Sequence, residues 1–180
     1  MDCIAIDSNA LTYFIQVMEP DYDPSCDDPK MAVERVSMIR LLLYVCDGEP
    51  FIVLPSVKAE YLRITSREWR RLHKETVMIL LDDPPYKIPK EERNRLIEEF
   101  IKVHPKRKDC QILAEACLTR MKVLLSCDSD SISRLGTLLE TPRIVRPSEF
   151  WTENNIAPGT RPRSVPAKSN PLFQKSWWKV

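Results

Sequence analysis

The stretch Cys3-Ile4-Ala5-Ile6, closed by Asp7, is four consecutive apolar residues, too short and too uniformly apolar for a surface helix. Such a run reads as a strand buried on both faces, the usual state in a parallel sheet. Short buried strands are expected again at Phe51 to Leu54, Val123 to Cys127 and Arg143 to Val145. Between them the apolar residues recur at helical spacing. Helices are expected over Ala10 to Val17, and over Met31 to Asp47 with Gly48 as its stop. Others follow from Pro55 with Ser56 as N-cap, and from a capping box at Thr65-Ser66-Arg67-Glu68 to about Leu81. Lys90 to Val103, Lys108 to Met121, Ser131 to Leu139 and a last turn at Pro147 to Trp151 complete the series. Strands separated by helices predict an α/β fold, a three-layer α/β/α sandwich around a central, mainly parallel sheet. The helix from Met31 is expected to bury Val33, Val36, Ile39, Leu42 and Leu43.

Composition narrows the chemistry. The 180 residues suit one domain, and 43% apolar content supplies a sizeable core. Only three glycines are present, so neither a dinucleotide fingerprint nor a phosphate-cradling loop can be written. Two histidines leave carboxylates to carry any metal chemistry. The six cysteines form no C-x-x-C pair and no secretory leader precedes them, so reduced thiols in a cytoplasmic protein are expected. No apolar run is long enough to span a bilayer. Residues 157–180 carry five Lys or Arg, no acid and four prolines, which marks a basic tail after a 1–156 body. That body has 22 basic and 26 acidic residues and a net charge of −4. The tail, with Trp177 and Trp178 near its end, is expected to dock on the acidic body slightly ahead of contacting RNA.

In a parallel sheet, ligands collect outside the carboxyl ends of the strands. Asp7 directly follows the first strand and Asp128 the third, Glu60 lies on the helix leaving the second, and Asp109 heads the helix that leads into the third. Four carboxylates are thus expected at one edge. Crowded acids resist joint ionisation unless cations neutralise them, and an oxygen-only donor set suits Mg²⁺ or Mn²⁺. Such ions activate water and stabilise a phosphate under attack, so phosphodiester hydrolysis is the reaction class expected. Each acid taken singly is equally well a helix cap.

The segments IAIDSNAL, LPSVKAEYL, KDCQILAEA and VLLSCDSDSI, in this order, resemble the successive acidic motifs of the PIN domain, a family of metal-dependent ribonucleases. The ending RPSEFW resembles that family's short closing element. The resemblance runs from about Asp2 to Trp151. It implies a PIN-like fold, endoribonuclease activity and metal bound by Asp7, Glu60, Asp109 and Asp128, with Asp130 assisting Asp128 and Asn9 as the polar neighbour of the first acid. It further implies a homodimer and, for free-standing prokaryotic members of the VapC type, a toxin paired with an antitoxin protein. The acidic insertion Glu19 to Lys30 and the tail make this chain longer than such a compact toxin. The alternative reading is a catalytically inactive PIN-like module that binds RNA or a protein.

Lys106, Arg107 and Lys108 stand immediately before Asp109 and are candidates for holding RNA phosphates. Arg67 to Lys74 reads as a solvated helix face with Trp69 turned inward and His73 exposed. Ser8, Ser126 and Ser129 read as hydrogen-bonding supports. A phosphoryl-accepting Asp7 would need a second Asp two residues on, where this chain has Asn9.

Overall fold

In the computed structural model, which describes residues 3–46 and 51–180, five short strands form one all-parallel sheet: β1 (Ile4–Ile6), β2 (Phe51–Val53), β3 (Leu81–Asp82), β4 (Val123–Leu125) and β5 (Arg143–Val145). Their spatial order is β3-β2-β1-β4-β5. Ala5 of the central β1 stands opposite Ile52 on one side and Leu124 on the other. Every residue of β1, β2 and β4 is buried, as uniformly apolar runs require. The helices are α1 (Ser8–Val17), α2 (Pro29–Arg40), α3 (Pro55–Tyr61), α4 (Arg67–Leu80), α5 (Lys90–Phe100), α6 (Arg107–Leu118), α7 (Ser129–Leu135) and α8 (Pro147–Glu153). The result is the three-layer α/β/α arrangement expected. The chain builds outward from β1 through β2 to β3, then crosses back to β4 and out to β5. This reversal opens a crevice between the carboxyl ends of β1 and β4.

Local differences from the sequence expectation have physical causes. Strand β3 is read from sequence as the end of a helix and the start of a Pro-rich breaker. Two residues pairing at a sheet edge, Leu81 beside Phe51 and Asp82 beside Ile52, carry no period to detect. Helix α2 begins at Pro29, capped by the Asp28 carboxylate, which accepts from Lys30 N–H at 2.9 Å and Met31 N–H at 3.2 Å. After Arg40 the helix widens over Leu41–Val45, where Cys46 N–H reaches back five residues to the Leu41 carbonyl at 3.0 Å. The expected stop at Gly48 lies outside the described residues. The buried face of α2 includes Glu34, Ser37, Met38 and Ile39, while Val33 is 54% exposed. A carboxylate can take an interior position because the tertiary structure supplies it with donors. Ser66, one residue later than expected, caps α4 by accepting from Trp69 N–H at 3.3 Å. Ser56 is not the cap of α3; it lies in the first turn with a different partner, described below.

The tail lies against the body. Trp178 is 3% exposed, packs near Tyr44 and donates its indole N–H to the Leu172 carbonyl at 2.8 Å. The Arg40 guanidinium donates to the carbonyls of Trp177, Trp178 and Lys179 at 3.2–3.3 Å. The Leu43 carbonyl, in the widened turn, accepts from Arg163 N–H at 2.8 Å and Ser164 N–H at 3.1 Å. Aromatic burial and backbone hydrogen bonds, with a body arginine as donor, make much of this contact, and the tail's Lys175 adds a hydrogen bond to the Tyr22 carbonyl at 3.5 Å beside Asp23.

Candidate functional site

Asp7 leaves β1 at the crevice. Its N–H donates to the Leu125 carbonyl at 3.0 Å, which ties it to β4, and its carboxylate caps α1 by accepting from Ala10 N–H at 2.6 Å. Burial pushes its carboxyl up to about 6. The Ala10 N–H and the Ser126 hydroxyl pull it down, and the nearby charges of Asp109 and Asp128 push it up again. Ser126, buried at the end of β4, also accepts from Asp128 N–H at 3.1 Å. One serine thus links the first and fourth acids across the crevice.

Asp128 caps α7, accepting from Asp130 N–H at 2.8 Å and Ser131 N–H at 3.2 Å, and its second oxygen accepts from the Lys106 ammonium at 2.8 Å. Partial burial works against its charge, but Lys106 and the two N–H donors hold its carboxyl below the usual carboxylate range. The same hydrogen bond to Asp128 raises the Lys106 ammonium. Asp130 is exposed and stands 4.0 Å from Lys106. Asp128, the closer of the two to the crevice, is the one fixed in place.

Glu60, in the last turn of α3, accepts from the Ser8 hydroxyl and pairs with Lys108 at 3.3 Å. Asp109, in the first turn of α6, accepts from His104 Nε2 at 2.7 Å. His104 is 1% exposed and its Nδ1 has no hydrogen-bond partner. His104 is not among the residues singled out from the sequence. Its place five residues ahead of Asp109, beside a proline that turns the chain, is the one signal of this role. Asn9 is exposed in the first turn of α1.

The acids share an edge, as expected, but do not close into a common ligand set. Among the described residues, no three His, Cys, Asp or Glu side chains stand together as a group able to hold a metal ion. The basic run at the start of α6 stands among them. Lys106 and Lys108 reach Asp128 and Glu60 and supply positive charge between the acids, while Arg107 turns away to Glu98 of α5 at 2.8 Å. Ser8, Ser126 and Ser129 are hydrogen-bonding supports, the last accepting from Arg146 at 2.5 Å.

A second population of carboxylates is structural. Glu115 of α6 is fully buried and accepts from Ser56 N–H at 2.8 Å, Ser56 Oγ at 2.7 Å and the Arg93 guanidinium at 3.0 Å. Glu34 of α2 accepts from Ser148 N–H at 3.0 Å and Ser148 Oγ at 2.8 Å, with Arg146 at 3.7 Å. Each fixes the first turn of a helix that leaves a strand through Pro-Ser. None of the six cysteines is in a disulfide, and burial pushes the thiols of Cys110 to about 11 and Cys117 to about 12, which makes those two poor nucleophiles.

His73 departs from expectation. It is 3% exposed, with its ring between those of Tyr61 and Trp69 at centroid distances of 6.1 and 5.9 Å. No helix among the described residues is long and apolar enough to cross a membrane. No protein-family model matches the chain, and no curated protein matches it significantly.

Proposed function

We propose that this protein is a metal-dependent endoribonuclease of PIN type, acting on RNA phosphodiester bonds at the crevice between β1 and β4. The observation that carries the reading is Asp7. It is buried at the topological switch point, and its proton is held up to about 6 by burial and by the charges of Asp109 and Asp128. A carboxylate under that pressure, among oxygen-only donors, fits a hard divalent cation such as Mg²⁺ or Mn²⁺. Asp7, Asp109 and Asp128, with Glu60 beside them, would hold it only on drawing closer together than in the arrangement described. Bound there, the ion would supply an activated water and charge stabilisation at phosphorus.

The protein's own groups have separable tasks. Ser126 and the Ala10 N–H fix Asp7, His104 orients Asp109 through Nε2, and Ser8 orients Glu60. Lys106 and Lys108 neutralise Asp128 and Glu60. Released from them, the two ammonium groups are placed to take RNA phosphates.

The lysine pairing favours a second reading, an RNA-binding module without turnover: Lys106 and Lys108 hold Asp128 and Glu60, and among the described residues no three acids are gathered for a metal. Incubating the full chain with single-stranded RNA in Mg²⁺, Mn²⁺ or chelator separates the two. Internal cleavage that chelator abolishes supports the nuclease. Tight RNA binding with the strand intact in both ions supports the module.

A further inference from the structure

Beside Glu60, helices α1, α3 and α4 enclose a concave pocket of about 140 Å³. Its walls are the apolar side chains of Leu11, Val57, Tyr61 and Ile64, and its polar rim is formed by Asn9, Thr12, Glu60 and His73. The rim has a definite hydrogen-bonding sense. His73 Nδ1 lies 2.8 Å from the Trp69 carbonyl, and a carbonyl only accepts, so Nδ1 carries the hydrogen. Nε2 of the neutral ring is therefore an acceptor, and no protein donor meets it. Glu60 offers carboxylate oxygens. The Thr12 hydroxyl spends its hydrogen on the Ser8 carbonyl at 2.9 Å and keeps only lone pairs. The Ser8 hydroxyl gives its hydrogen to Glu60, which leaves the exposed Asn9 amide and the Tyr61 phenol as the neutral lining groups with hydrogens to give, against the acceptors of Glu60, Thr12 and His73.

We propose that this pocket is a nucleobase subsite that selects a base bearing an exocyclic amine, namely adenine, guanine or cytosine, over uracil. The proposal rests on the nuclease reading only in assigning the occupant to the nucleotide next to the scissile phosphate, because Glu60 is shared by pocket and site. A base is flat and apolar on its faces and polar on its edge, which matches an aliphatic and aromatic slot with a polar rim. An acceptor-rich rim is satisfied by the N–H hydrogens of an amino group. Uracil, whose edge carries two carbonyls and one N–H, would leave acceptors facing acceptors. The Tyr61 and Trp69 rings, tilted by 33° and 59° to the imidazole, and the Nδ1 hydrogen bond to the Trp69 carbonyl fix the His73 ring, so its acceptor is held in place before any ligand arrives.

The test is a titration of the full chain, in chelator, with AMP, GMP, CMP, UMP and ribose 5-phosphate, followed by amide and imidazole NMR shifts. The amino-bearing nucleotides should move Tyr61, Ile64 and His73, with UMP about tenfold weaker and ribose 5-phosphate without effect on these signals. Ile64→Trp, which fills the slot from a half-buried wall position, should weaken AMP, GMP and CMP binding about tenfold. His73→Phe, which keeps the ring but deletes the acceptor, should narrow the gap between them and UMP. Equal affinity for UMP, shifts reproduced by ribose 5-phosphate, or unchanged binding to Ile64→Trp would each overturn the subsite. Because binding is read without metal, a wild-type chain that binds AMP but cleaves no RNA would remove the nuclease reading and leave the subsite standing. The reverse result, cleavage with none of these shifts, would remove only the subsite.

Discussion

Two sets of acids sit near the same sheet edge and are held in opposite ways. Glu115 and Glu34 are saturated by fixed donors: a serine N–H, the same serine's hydroxyl and an arginine. Asp128 and Glu60 depend in part on the ends of exposed lysine chains, and Asp7 retains a proton to about 6. A buried carboxylate with rigid partners is already compensated for its desolvation and has little to gain from a ligand. One neutralised by lysines that can move away, or protonated part of the time, gains when a cation arrives. Asp109 and Glu115 belong to one short motif on α6, yet Glu115 is fully buried and saturated by three donors, while Asp109, a quarter exposed, accepts from the His104 ring.

Glu115→Ala should show the largest effect. It leaves Arg93 and the Ser56 donors without their acceptor and should cost about 3–5 kcal/mol in urea denaturation. Asp109→Asn should change stability by less than about 1 kcal/mol. Equal losses for the two would break the comparison.

Asp7→Asn comes next, and its sign depends on pH. The folded-state value of about 6 lies above the ordinary 3.8, so between these values the folded state binds the extra proton. Stability therefore falls as pH rises from about 4 to 6 and levels off above. The Asn variant lacks this slope and should be the more stable protein at pH 7, by up to about 3 kcal/mol. Denaturation midpoints at pH 4, 5, 6 and 7 read this directly, and parallel curves for the two proteins would contradict the burial assigned to Asp7.

In activity the order reverses. Asp7→Asn, Glu60→Gln and Asp109→Asn should each lower Mg²⁺- or Mn²⁺-dependent cleavage by more than about 10²-fold, and His104→Ala by about 10–100-fold through loss of Asp109 orientation. Full activity in any two of the three acid variants would dissolve the site. The smallest effect is expected at Asp130, where Asp130→Asn should lower cleavage less than Asp128→Asn at saturating metal. The opposite ranking would exchange their roles.

The inner strands β1, β2 and β4 were legible because they are uninterrupted apolar runs that no amphipathic helix would carry. Asp7 and Asp128 were legible because they directly end two of those runs. Glu34 and His73 were not. Each is a polar residue in an interior position, and helical periodicity assigns such residues to solvent unless the partner is known. Strand β3 escaped because two residues at an edge have no pattern.

Sequence pattern alone is enough to identify β1, β2 and β4, the helices that separate them, and the strand-end positions of Asp7 and Asp128. These depend on each residue's relation to its near neighbours along one element. Only the tertiary structure decided the strand order that opens the crevice between β1 and β4, the saturation of Glu115 against the partial protonation of Asp7, and the pairing of Lys106 and Lys108 with the acids. It also placed the tail against Arg40 and Tyr44. In each case the free energy of a polar or aromatic group is set by a partner from a distant segment, which supplies the hydrogen bond, charge or covering surface that offsets leaving water.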